Sequence, residues 1–185
     1  MSEEFYKMDL HIHTPASKCY TGAKNDEEYF EILRSAHKQN LDIIAFTDHN
    51  TLFGYERLFA LKNELLTKKN ILSEFQDTTL QINDALNECN EKLSLFENIF
   101  IIPGVEITLN PGIHMLVLST PENLYLLSEL LDSIGYTIDK RGADSDTEIN
   151  IDVKNFLLNP KLNNFIVIAP HIDSNKGIFN SLSGQ

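Results

Sequence analysis

The chain has 185 residues, 15 Lys and Arg against 27 Asp and Glu, and a formal net charge of −12. That acidity argues against broad affinity for DNA or RNA, which is bound through cationic surfaces, unless carboxylates enclose divalent cations that can themselves receive a phosphate. An apolar share of 42% with only eight glycines and six prolines excludes a disordered or fibrous chain, and the length suits one domain with a real core.

Residues 6–13, YKMDLHIH, read as a short strand. Asn25 or Asp26 then caps a helix over 25–40, in which Tyr29, Phe30, Ile32, Leu33 and Ala36 recur at helical spacing. Residues 41–50, LDIIAFTDHN, are apolar on both faces, as a buried parallel strand should be, so the first fifty residues form a βαβ unit. The stretch 52–98 is polar and free of proline, and its Leu spacing predicts one or two amphipathic helices inserted at about 55–98. Core strands resume at 99–109 and 112–120, separated by the turn signal Asn110-Pro111-Gly112. A helix over 121–135 has Pro121 in its first turn and Gly135 just past its end. The polar run 137–150 is expected to be a loop, followed by a short helix near 152–158 and a strand over 164–171. The tail after it carries no predicted core element.

Chemistry-bearing residues gather at the ends of these strands. His11, His13, His49 and His171 fall at carboxyl ends, and Glu106 ends another apolar run. In parallel sheets wrapped by helices, that end opens into the reactive cleft. Alternation along the first strand puts Asp9, His11 and His13 on one face. His114 begins its run instead of ending it, but a hairpin centred on Asn110 would set it directly opposite Glu106. Neutral imidazoles converging with a carboxylate suit Zn²⁺, Mn²⁺ or Fe²⁺. His37, in a surface helix beside Lys38 and Gln39, has no expected role.

The series D-x-H-x-H at 9–13, T-D-H at 47–49, P-G-x-E at 103–106, then His114 and His171, resembles the PHP (polymerase and histidinol phosphatase) superfamily of metal-dependent phosphoesterases. The stretch HTPASKCYTG is similar to PHP domains at the N-terminus of large AAA or SMC-like ATPases. The resemblance implies a single α/β domain over 1–185. Its fold would be a distorted (β/α)7 barrel, incomplete at the C-terminus and belonging to a longer protein. Two or three ions at the barrel rim are implied, with His11, His13 and Glu106 holding one and Glu106 bridging to a second held by His114 and His171. His49 would serve a third. Cys19 stands where some members carry a histidine ligand of that third ion, and both a ligand and a free thiol are open readings. Asp48 joins the catalytic set of His11, His13, His49 and Glu106, its direction opposite to His49 favouring a supporting hydrogen bond. The Asp-x-His that ends the family pattern has no counterpart after His171, where Asp173 stands alone.

The expected function is hydrolysis of a phosphate ester, of a nucleic acid or nucleotide by the ATPase-associated flavour, through metal-activated water. Lys18, Lys24 and Lys176 are candidate phosphate contacts. The alternative is a catalytically weak metal-binding module that serves a C-terminal ATPase region or a partner protein. An amidohydrolase-like enzyme ranks below both, since no lysine is suited to bridge its metals. No stretch approaches the roughly 18 apolar residues of a membrane span, and two cysteines are too few for a disulfide framework, so a cytoplasmic setting is expected.

Overall fold

The computed structural model describes residues 5–75, 80–142 and 147–179. Strand β1 (Met8–Ile12) leads through helix α1 (Glu27–Lys38) to β2 (Ile43–Phe46). Helices α2 (Phe53–Ser73) and α3 (Leu80–Ser94) precede the long β3 (Phe100–Asn110) and β4 (Ile113–Leu118). A 3-10 turn and α4 (Leu124–Ser133) follow, then β5 (Ile149–Asp152), α5 (Val153–Leu157) and β6 (Ile166–Ile168).

The strands form one mixed sheet in the order β1-β2-β3-β4-β6, with β5 pairing β3. β1, β2 and β3 are mutually parallel, whereas β4 runs antiparallel to both β3 and β6. The sheet curls into a half-barrel. Its two end strands carry or lead into His11 and His171, yet those rings lie only 5.6 Å apart.

Two apolar clusters hold helices to the outside of the curl. Tyr29, Phe30, Leu33 and Ala36 of α1 pack with Leu58 of α2 and with Ile44 and Phe46 of β2. Leu127, Leu130 and Leu131 of α4, with Phe156 of α5, cover Val105, Ile107, Met115 and Val117 of the β3–β4 hairpin. Each Val, Leu, Ile, Met or Phe among them stabilises by roughly 1.5–3 kcal/mol on full burial. Helix ends are defined chemically as well. After α1, Asn40 adopts a left-handed conformation (φ 52°) while the Leu41 N–H bonds the Ala36 carbonyl. After α4, Gly135 (φ 104°) takes that position and the Tyr136 N–H bonds the Leu131 carbonyl.

Several expectations need correction. The first strand is shorter than 6–13, and its register against β2 shifts between Asp9 and Ile12. Alternation across that irregularity does not carry Asp9 with the histidines: Asp9 is exposed and accepts a hydrogen bond from the His11 N–H at 3.1 Å. Helix α2 buries Tyr55, Leu58 and Leu61 fully in its first turns, while Leu65, further along the same face, is only partly buried against the core. The predicted loop 137–150 contains the start of β5, while its residues 143–146 lie outside the described set. The hairpin is centred one residue later than Asn110, so Thr108, not Glu106, stands opposite His114, and Glu106 opposes Leu116. A two-residue shift preserves the face, so Glu106 and His114 still point the same way.

Candidate metal centre

The strands deliver Glu106 to the middle of the curl. Its backbone is bracketed by the segment after β2: the Glu106 N–H donates to the Asp48 carbonyl at 3.1 Å, and the Asn50 N–H donates to the Glu106 carbonyl at 2.9 Å. The carboxylate is 1% exposed. Its Oε2 lies 3.1 Å from His11 Nε2, 3.1 Å from His13 Nε2 and 3.3 Å from His49 Nε2. Its Oε1 lies 2.7 Å from His114 Nδ1 and 3.1 Å from His171 Nε2. Histidines separated by up to 160 positions therefore surround one carboxylate. His114 ceases to be an exception, because β4 is antiparallel and its first residues reach the same end of the sheet as the last residues of β1 and β2.

These contacts do not amount to a satisfied hydrogen-bond network. Buried His49 Nδ1 and both ring nitrogens of His114 lack hydrogen-bond partners among the described residues, although His114 Nδ1 sits 2.7 Å from the carboxylate. Buried polar atoms are normally paired. Oε2 alone faces three nitrogen atoms, more than its two lone pairs can accept from, an arrangement that divalent ions between nitrogen and oxygen would resolve. His49, Glu106 and His114 form one group whose ligand atoms lie within 4.8 Å of one another, and His11, Glu106 and His171 form a second.

The electrostatics agree with ligation. Burial pushes the His49 imidazolium down to about 4 against the pull of Glu106, with the neighbouring imidazoles adding to the depression, so the ring is neutral near pH 7 and keeps a lone pair. Burial alone would raise the Glu106 carboxyl, but the close approach of His11, His114 and His13 outweighs it and holds the group below the ordinary carboxylate range.

Asp48 does not enter the cluster. Its Oδ1 accepts from the Thr14 N–H at 2.6 Å and its Oδ2 from the Thr14 hydroxyl at 2.7 Å, so it anchors the chain immediately after His13. Burial raises its carboxyl, opposed by those two bonds. Gly54 packs against this clamp so closely that a Cβ there would collide with Asp48 Oδ2 and Thr14 Oγ1. Cys19 is exposed, yet its sulfur belongs to a third group of ligand atoms with His13 and His49. Of the lysines expected to contact phosphate, Lys24 donates to the carbonyls of Ser17 and Lys18, and the Lys176 side chain lies beside Gly112 at the hairpin turn. His37 bonds the Leu95 carbonyl, away from the cluster.

Three supporting residues escaped the sequence reading. Buried Ser17 contacts His13, Cys19 and the His49 N–H. Asn50, at φ 57°, accepts from the Thr108 N–H through Oδ1 and donates to the Thr147 carbonyl, which fixes β3 beside Glu106. Ser174 lies 2.8 Å from His171 Nδ1. The tail containing it folds back, with the Lys176 carbonyl accepting from the His114 N–H at 3.0 Å. Asparagine after T-D-H was the one available signal, since Asn tolerates positive φ.

No protein-family model matches this chain, and no curated protein matches it. Among solved structures it is similar to a provisionally named metal-dependent phosphoesterase from Bifidobacterium adolescentis, with 19% identity and a TM-score of 0.37. The match covers 70% of this chain and 33% of that one, so this chain spans about a third of its length.

Proposed function

We propose that this chain is a metal-dependent phosphoesterase of the PHP type, its half-barrel being part of a distorted (β/α)7 barrel. The observation that carries the reading is the buried Glu106 carboxylate with five imidazoles around it. Its two oxygens face different sets: Oε2 looks to His11, His13 and His49, Oε1 to His114 and His171. A carboxylate so placed can bridge two ions. Divalent ions such as Zn²⁺, Mn²⁺ or Fe²⁺, when bound, would supply Lewis acidity toward phosphate oxygens and a water acidic enough to attack at neutral pH.

The chain's own residues prepare that chemistry. Glu106 stays ionised and contributes negative charge where cations must be held. His49 stays neutral because it is buried. Asp48 and Thr14 fix the backbone that presents His13, Asn50 fixes β3 around Glu106, and Ser174 orients His171.

Metal analysis after purification, together with hydrolysis of a generic phosphomonoester and phosphodiester with and without Mn²⁺, tests the proposal. Glu106→Gln is expected to lose both bound metal and turnover. Metal retained by the wild type without turnover on either ester would favour the alternative of a metal-binding interaction module. Turnover that survives Glu106→Gln would overturn the reading.

A further inference from the structure

We propose that Cys19 is a thiolate ligand, with His13 and His49, of a third metal position at the mouth of the site, which makes that position prefer thiophilic ions over Mg²⁺ or Mn²⁺. The inference rests on the proposal that the cluster binds metal. It goes beyond that proposal by giving one position a sulfur donor and therefore a different selectivity.

The placement comes from three elements of the structure. A ligand atom each from His13, Cys19 and His49 lie within 4.8 Å of one another. The His13 and His49 rings stack with centroids 4.7 Å apart and planes 22° from parallel. His49 has a nitrogen to spare: Nε2 lies toward Glu106, while buried Nδ1 has no hydrogen-bond partner among the described residues.

The loop that carries the thiol is fastened in place. Ser17 Oγ lies 3.4 Å from both His13 Nδ1 and Cys19 Sγ, and it accepts from the His49 N–H at 3.2 Å, so one hydroxyl ties all three residues together. The Lys24 ammonium donates to the Ser17 and Lys18 carbonyls just before the cysteine. Preorganisation of this kind lowers the cost of ordering a surface loop around an ion. Sulfur is a poor ligand for Mg²⁺ and Mn²⁺ and a good one for Zn²⁺, Cd²⁺ and Co²⁺, and ligation would release the thiol proton to solvent.

Loading the metal-free protein with Co²⁺ separates the possibilities. Wild type should show visible d–d bands of bound cobalt and, in the near ultraviolet, a sulfur-to-cobalt charge-transfer band. Cys19→Ser should lose the charge-transfer band and keep d–d bands from the Glu106 positions, and its preference for Cd²⁺ over Mn²⁺ in competition should fall. Visible bands without charge transfer in the wild type would overturn the thiolate while leaving the metal centre standing. A charge-transfer band that persists in Cys19→Ser would assign it to Cys89 and also overturn it. Absence of any cobalt band would defeat both proposals together.

Discussion

At the scale of single residues, the site depends on groups that never face it. Thr14 is fully buried, and both its N–H and its hydroxyl donate to Asp48, while the hydroxyl oxygen accepts from the Ala16 N–H. Removing that partner strands two donors in a dry environment, and each costs roughly 1–3 kcal/mol. Asp48→Ala should therefore destabilise the fold by about 2–4 kcal/mol, a loss that urea denaturation monitored by circular dichroism would read. A midpoint within error of wild type would show that the clamp contributes nothing. Asp48 also shows how an acidic residue beside a ligand can be a structural anchor: alternation turned it away from His49, and only the packed neighbour revealed what it holds.

At the scale of elements, the α2–α3 pair is joined to α1 by ion pairs across its surface. Arg57 of α2 binds Asp26 at 2.6 Å, and Lys92 of α3 binds Glu27 at 2.8 Å. The Arg57 hydrogen bond holds the Asp26 carboxyl below its ordinary range, and the Lys92 hydrogen bond does the same for Glu27, each against a smaller opposing effect of burial. Folded values below the unfolded ones mean that this stabilisation is fully present above about pH 5 and disappears as pH falls through the carboxylate range near 4 and below. The pairs are exposed, so the effect is small. The urea midpoint of wild type should exceed that of an Arg57→Ala, Lys92→Ala variant at pH 6, and the two should converge toward pH 3; a gap that persists at pH 3 would assign it to lost packing instead.

At the scale of the whole molecule, the curl of the sheet divides the trough by polarity. At the end where β2, β3 and β6 begin, an apolar cavity of about 410 Å³ is lined by Ile43, Phe100, Ile102, Leu118 and Ile166. Imidazoles and Glu106 occupy the opposite end. Ligands there come from β1, β3, β4 and the segments after β2 and β6, so an ion bound among them would cross-link the sheet from one end to the other. Ligand that binds only the folded chain stabilises it by about 2.7 kcal/mol at one hundred times its dissociation constant. Zn²⁺ or Mn²⁺ should raise the thermal midpoint, EDTA should reverse the rise, and Glu106→Gln should abolish it. A rise unchanged in Glu106→Gln would place the bound metal elsewhere.

The sequence alone determined the order of elements through β4, the helix end at Gly135, and the set of histidines around Glu106. It could do so because hydrophobic period, capping residues and strand-end positions are local properties of the chain. It misplaced what depends on pairing between distant segments: the β3–β4 register, the exclusion of Asp9, the start of β5 in a polar run, and the return of the tail to β4. Only the tertiary structure decided that Thr14 would claim both oxygens of Asp48 and that Ser17 would bind Cys19 to His13 and His49. Such contacts have no period and no fixed spacing, since they are chosen by which backbone groups remain unpaired once the sheet has curled.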